Sequence, residues 1–215
     1  VLLPRGACSG GYSFIMTGCP ATNMLVSTYM KDLMKKTKPS HAYEAIKRNH
    51  APGGMMSYES ADDLKFYVKK GYCPGNAGKT LEWAFQDWGL SRMALRMGKK
   101  SDAALYEKRS RAWTPLFNKN IGLILPKKEN GEWLHTDPLN GQGWVEANAW
   151  QATWSVSHDL PKLVELMGGG DAFCKKLNYA FEQARPTDFV HAYSGGYVSY
   201  ANQPGCSNAH LFTYG

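Results

Sequence analysis

The segment from Gly143 to Asp159, G-W-V-E-A-N-A-W-Q-A-T-W-S-V-S-H-D, gathers residue types able to work on a sugar. One carboxyl, Glu146, stands among Trp144, Trp150 and Trp154, with Asn148, Gln151, His158 and Asp159 close by in sequence. Indole faces stack on the apolar faces of pyranose rings, and amide side chains read hydroxyl groups. A carboxyl withdrawn from water keeps its proton to higher pH, which suits it to donate that proton near neutrality. The residues also have a plainer reading. Each tryptophan alone is ordinary core material, and Glu146 fits equally an ion pair or an acid at a helix N-terminus. On the residues alone, both readings stand.

The elements that must hold these residues are mostly helical by periodicity. Residues 20–36 space Met24, Leu25, Tyr29, Leu33 and Met34 as a helix ending in lysines, and 41–49 and 61–70 form shorter ones. The strongest pattern is a helical hairpin over 79–117. Its first helix runs from an N-capping Thr80 to Met97 and stops at Gly98; its second runs from Ser101 to about Ala112. The first helix is apolar on two sides, which predicts packing between layers. A long stretch rich in Gly, Pro, Asn and Asp follows, with a short strand expected at 121–125. Helix is expected again from Ala147 to His158, at 160–167, and at 171–184 behind an Asp171 cap. Loop then continues to 207, and helix restarts near Asn208. Helix pairs joined by long polar loops suit a bundle, a solenoid or a toroid of concentric helices. Periodicity does not separate these.

At 215 residues the chain is one domain with a sizeable core or a piece of a larger one. A net charge of +7 raises the question of nucleic acid, but the placement of the basic residues argues against it. Lys31, Lys35, Lys36 and Lys38 fall at one helix end, and Lys99-Lys100 and Lys127-Lys128 fall in turns. Cys8, Cys19, Cys73, Cys174 and Cys206 form no CxxC pair and indicate neither a zinc site nor a disulfide framework. His41, His50, His135 and His191 have no metal-ligand spacing and read as surface or loop residues. No apolar run is long enough to span a membrane.

The order of segments adds what periodicity lacks. L-P-R-G, G-G-Y-S-F-I-M-T-G-C-P-A, H-A-Y-E-A-I, K-T-L-E-W-A-F-Q-D-W-G-L, R-S-R-A-W-T-P-L-F-N, the segment around Glu146, L-M-G-G-G-D-A-F and Y-A-N-Q-P-G-C-S-N-A-H-L-F-T-Y follow one another. Together they resemble glycoside hydrolase family 92, calcium-dependent exo-α-mannosidases that invert the anomeric centre. The resemblance implies a mainly α fold, part of an (α/α)6 toroid built from helical hairpins with long loops. It implies that residues 1–215 are a single partial catalytic domain, truncated at both ends. An N-terminal β-sandwich domain and the C-terminal remainder of the toroid are then expected in the full protein.

The family motif E-G-N-A-W-Q matches Glu146 to Gln151, with Ala147 in place of glycine, and makes Glu146 the general acid. The family's base lies in a later G-x-D-x-D-x-G segment. An inverting hydrolase holds its two carboxyls roughly 6.5–9.5 Å apart so that water attacks from the opposite face, so the piece alone is expected to be inactive. The resemblance also implies Ca2+, with Asn148, Gln151, Asn202 and Gln203 as its protein ligands. Asn202-Gln203-Pro204 departs from the family's usual Asn-Glu-Pro, and calcium prefers anionic oxygens. Glu82, Asp87, Trp88, Trp150, His158 and Asp159 are the implied substrate contacts. For Glu82, Asp87 and Trp88 the alternative is a structural hydrogen-bond network; for His158 and Asp159 it is helix capping. Asn202, Gln203 and His210 stand open in the same way. The expected partner is a mannose-containing glycan, with no nucleic acid and no membrane span, in a secreted, periplasmic or cell-surface setting. The alternatives are a toroidal glycosidase of other sugar specificity and a non-catalytic carbohydrate-binding relic of the fold.

Overall fold

The computed structural model describes residues 3–8, 11–13, 16–58 and 60–215. Part of the G-G-Y-S-F-I motif, namely Gly10, Phe14 and Ile15, lies outside them. The described chain is predominantly helical and divides into two compact units. One comprises Val1–Cys73 and Lys79–Trp113; the other comprises Pro74–Gly78 and Thr114–Gly215. No helix is long and apolar enough to cross a membrane among the described residues.

The first unit opens with a small antiparallel hairpin, β1 (Gly6–Cys8) and β2 (Gly11–Ser13), which helical periodicity did not predict. Helices α1 (Ala21–Met30), α2 (Pro39–Asn49), α3 (Ala61–Lys70), α4 (Ala77–Arg96) and α5 (Lys100–Arg109) follow. Helix α1 stops six residues short of the expected end, because Asp32 takes a left-handed backbone (φ 56°) that no helix continues through. Helix α3 spans the expected residues: the Ser60 hydroxyl accepts from the Asp63 amide at its start, and Gly71 closes it at φ 86°. Helix α4 begins three residues before Thr80, whose hydroxyl instead accepts from the Cys73 amide at 2.9 Å.

Val26, Tyr43, Ile46, Leu90, Met93 and Tyr106 form the core between α1, α2, α4 and α5. The two-sided character of α4 is real but partly polar. Trp83, Ala84, Leu90 and Met93 are buried, and so are Gln86, Asp87 and Ser91, whereas Leu95 is exposed.

The second unit contains the strand pair β3 (Phe117–Asn118) and β4 (Leu123–Ile124), where one strand was expected. It continues with α6 (Ala149–Ala152), α7 (Leu160–Met167) and α8 (Gly170–Ala184). Helices α7 and α8 form a hairpin over buried Leu160, Leu163, Phe173 and Leu177, turned by Gly168 and Gly169. Gly169, not Asp171, takes the N-cap position, and Asp171 lies in the first turn. The helix expected over 147–158 is much shorter. After α6 the chain tightens into a 3-10 turn at Thr153–Ser155, and the Thr153 hydroxyl bonds back to the Ala149 carbonyl at 2.7 Å. Residues Gln203–Tyr214 form successive 3-10 turns, beginning earlier than Asn208.

Candidate active site

Glu146 lies in the loop before α6, with φ 53°, in the left-handed region where a side chain is strained. The approach to it is anchored by Gly143, whose carbonyl accepts from the Ala77 amide at 2.8 Å. Gly143 itself has φ 84°, and a Cβ there would lie 2.7 Å from Cβ of Pro126, so only glycine fits. Ala147, the departure from the family motif, has no positive φ; the left-handed residue is its neighbour.

Glu146 is half-buried and lines a small open cleft, with Ala147, Gln151, Ser199, Asn202 and Asn208 among its other lining residues. Asn202 Nδ2 reaches both the main-chain carbonyl of Glu146, at 3.3 Å, and its Oε2, at 3.5 Å. Among the described residues lining the cleft there is no lysine or arginine. Glu146 therefore lines a cleft and is not locked into an ion pair with any of them.

The rest of the motif is occupied in building that loop. Asn148 caps α6 by accepting from the Gln151 amide at 3.1 Å. Its Nδ2 donates to the carbonyls of Ser194 and Gly196, and Gln151 Nε2 donates to the carbonyl of Gly195 between them. Two amide side chains thus hold three successive carbonyls of one loop.

This arrangement bears on calcium. Asn148 Oδ1 is used as a cap, and Asn202 Oδ1 accepts from the Gln203 amide at 3.0 Å. Gln203 is exposed. Among the described residues no group of three or more His, Cys, Asp or Glu side chains is placed to hold a metal ion. The Asn148 and Asn202 side-chain oxygens are already engaged by backbone amides, and neutral amides match poorly a cation that prefers anionic oxygens. Of the expected ligand set, Asn148, Gln151 and Asn202 hold the loop together in this structure, and Gln203 is exposed.

Trp150, expected as a substrate contact, packs among other side chains here. It is buried, with Tyr197 and Tyr179 at 5.1 and 5.4 Å between ring centroids and the Lys176 ammonium 5.0 Å from its own. Trp154 packs edge-on against Phe173, and Trp144 is buried as well. Asp159 occupies the N-cap position of α7, its carbonyl accepting from the Lys162 and Leu163 amides. His158 precedes it and is half-buried. His210 is exposed, in the 3-10 turns of 203–214.

Glu82, Asp87 and Trp88 belong to the first unit. Asp87 is fully buried with both oxygens engaged: Oδ1 by His50 Nδ1 at 2.8 Å, Oδ2 by Arg109 Nε at 2.8 Å and the Tyr67 hydroxyl at 3.0 Å. It is a framework residue. His50, read from sequence as a surface residue, is its fully buried partner, and Nε2 of its ring lies 2.8 Å from the Thr22 hydroxyl. Burial pulls the imidazole below its ordinary range, against the opposing pull of Asp87. The neutral ring therefore donates from Nδ1 to Asp87 and accepts from Thr22 at Nε2. Burial pushes the Glu82 carboxyl up, with the Gln86 amide bond and the Arg5 charge opposing. Trp88 is half-buried and stacked on Phe85.

The whole chain, residues 1–215, matches the glycosyl hydrolase family 92 catalytic domain. The chain belongs to that family. It is similar to a family 92 inverting mannosidase of Bacteroides thetaiotaomicron, with 27% identity and a TM-score of 0.81, over 98% of this chain and 31% of that one. An α-mannosidase of the same family and organism superposes with a TM-score of 0.82 at 24% identity, over 99% of this chain and 28% of that one. An uncharacterized secreted glycosidase of Arthroderma benhamiae is 24% identical over 212 residues, 80% of this chain and 27% of that protein. The chain thus spans less than a third of the length of each of these relatives. Its mainly α fold, part of an (α/α)6 toroid, is that of the family.

Proposed function

We propose that this chain is the part of an exo-α-mannosidase catalytic domain that supplies the general acid, Glu146. The observation that carries the reading is the placement of that residue: half-buried, lining a cleft, on a strained backbone, with no lysine or arginine on the described lining. Strain of this kind persists where the surrounding structure enforces it, as at functional sites.

In the proposed reaction Glu146 gives its proton to the glycosidic oxygen as the bond from that oxygen to the anomeric carbon breaks. Water adds to the opposite face of the sugar and yields its own proton to a base elsewhere in the whole protein. Asn202 orients the acid through Oε2, and the Asn148–Gln151 clamp fixes the loop beyond. Glu82 and Trp88 are retained as substrate contacts, while His158 and Asp159 shape the chain entering α7. Calcium belongs to the proposal for the whole protein, with anionic ligands from outside the four amides, and the proton transfer from Glu146 does not pass through it. Residues 1–215 are then a partial catalytic domain, inactive alone, within a longer protein secreted or held at the cell surface to trim mannose-containing glycans.

The anomer formed first by the complete enzyme tests this. Proton NMR of aryl α-mannoside hydrolysis is expected to show β-mannose before mutarotation. Initial α-mannose, or no hydrolysis, would remove the inverting mechanism.

A further inference from the structure

The Glu146 cleft contains an amide that the residues singled out from sequence do not include. Asn208 lines it from the 3-10 turns of 203–214 and is 2% exposed. Its Nδ2 has no hydrogen-bond partner among the described residues. A buried amide nitrogen left unpaired costs stability that an apolar side chain of the same shape would not. Buried polar groups in folded proteins nearly always have partners, so an orphan on a cleft wall points to a bond completed by what enters the cleft. Packing alone gives no reason for an amide at this position.

The lining narrows the chemistry of that guest. Glu146, Gln151, Ser199, Asn202 and Asn208 are the polar side chains among the lining residues, and no lysine or arginine is among the described ones. Such a wall matches a neutral ligand rich in hydroxyl groups and offers nothing to balance a phosphate or a carboxylate. We propose that Asn208 is a further ligand-binding residue of this cleft, donating from Nδ2 to a hydroxyl oxygen of the sugar. The proposal rests on the hydrolase reading of Glu146.

The complete enzyme carrying Glu146→Gln, which does not consume the ligand, serves as the parent for binding of methyl α-mannoside. Adding Asn208→Leu is expected to leave the unliganded Tm unchanged or raised and to weaken methyl α-mannoside binding at least tenfold. Asn208→Ala carries the same expectation for affinity and covers the case in which leucine does not fit. Unchanged affinity in both variants overturns the proposal, whether or not Tm falls, and would leave Asn208 bonded to a structural water. If wild type hydrolyses no α-mannoside and the parent binds none, the hydrolase reading fails first and the proposal with it, before any change at Asn208.

Discussion

The side-chain nitrogen of Asn148 donates to the main-chain carbonyl of Gly196 at 2.8 Å, joining positions 48 residues apart. The same nitrogen holds the carbonyl of Ser194 at 2.9 Å, and the same side chain caps α6. Asn148→Ala removes the cap and strands two carbonyls, so a loss of about 2–5 kcal/mol is expected. Thermal denaturation is expected to show a clear fall in Tm. Asn148→Asp keeps the cap but has no donor, and is expected to be nearly as damaging. A metal-ligand role would predict the opposite for aspartate, namely tolerance or gain with added calcium.

Gly143 gives a sharper backbone test. Its φ of 84° and Cβ of Pro126, which would lie 2.7 Å from an alanine methyl, leave no room for alanine. Gly143→Ala is expected to cost about 1–3 kcal/mol and to lower kcat by displacing Glu146 three residues on. Unchanged Tm and kcat would show that the loop before α6 adapts freely.

Much of this arrangement was legible in the sequence because local signals were strong. Gly98, at φ 74°, follows the end of α4 as capping chemistry predicts, and the α7–α8 hairpin follows from its periodicity. The proposed acid, Glu146, drew notice from its neighbours in sequence. The roles of those neighbours were not. Whether an asparagine grips a metal or the carbonyl of Gly196 depends on a contact between distant segments, which spacing along the chain does not encode. Asn208 stayed hidden for the same reason, and His50 was misread because a single histidine carries no signal of its own burial.

The buried network around Asp87 sets a pH dependence. Burial depresses the folded-state pKa of His50, so below about pH 6.5 the unfolded chain binds a proton that the folded chain refuses. This contribution to stability is present above that pH and is lost as pH falls. Tm is expected to drop between pH 7.5 and 5.5, and His50→Gln is expected to flatten that part of the slope even if Tm is lower throughout. Asp87→Asn leaves the Arg109 charge without its buried partner and is expected to cost about 3–5 kcal/mol.

Glu82 titrates in the opposite sense. Burial raises its folded-state pKa, so the folded chain holds the proton more tightly and stability is lost as pH rises through that raised value. Glu82→Gln is expected to gain stability relative to wild type as pH rises from 4.5 to 8. As a substrate contact its loss would also lower kcat/KM, measured on an α-mannoside at pH 7; unchanged kcat/KM would leave Glu82 a purely structural residue.

The proton on Glu146 is tested most directly by changing the leaving group. In the complete enzyme, Glu146→Gln is expected to lower kcat about 10²–10⁴-fold for a mannoside with a poorly acidic leaving alcohol. For dinitrophenyl α-mannoside, whose leaving group departs without protonation, the loss is expected to be far smaller. An equal loss on both substrates, or none on either, would contradict the assignment of Glu146 as the acid.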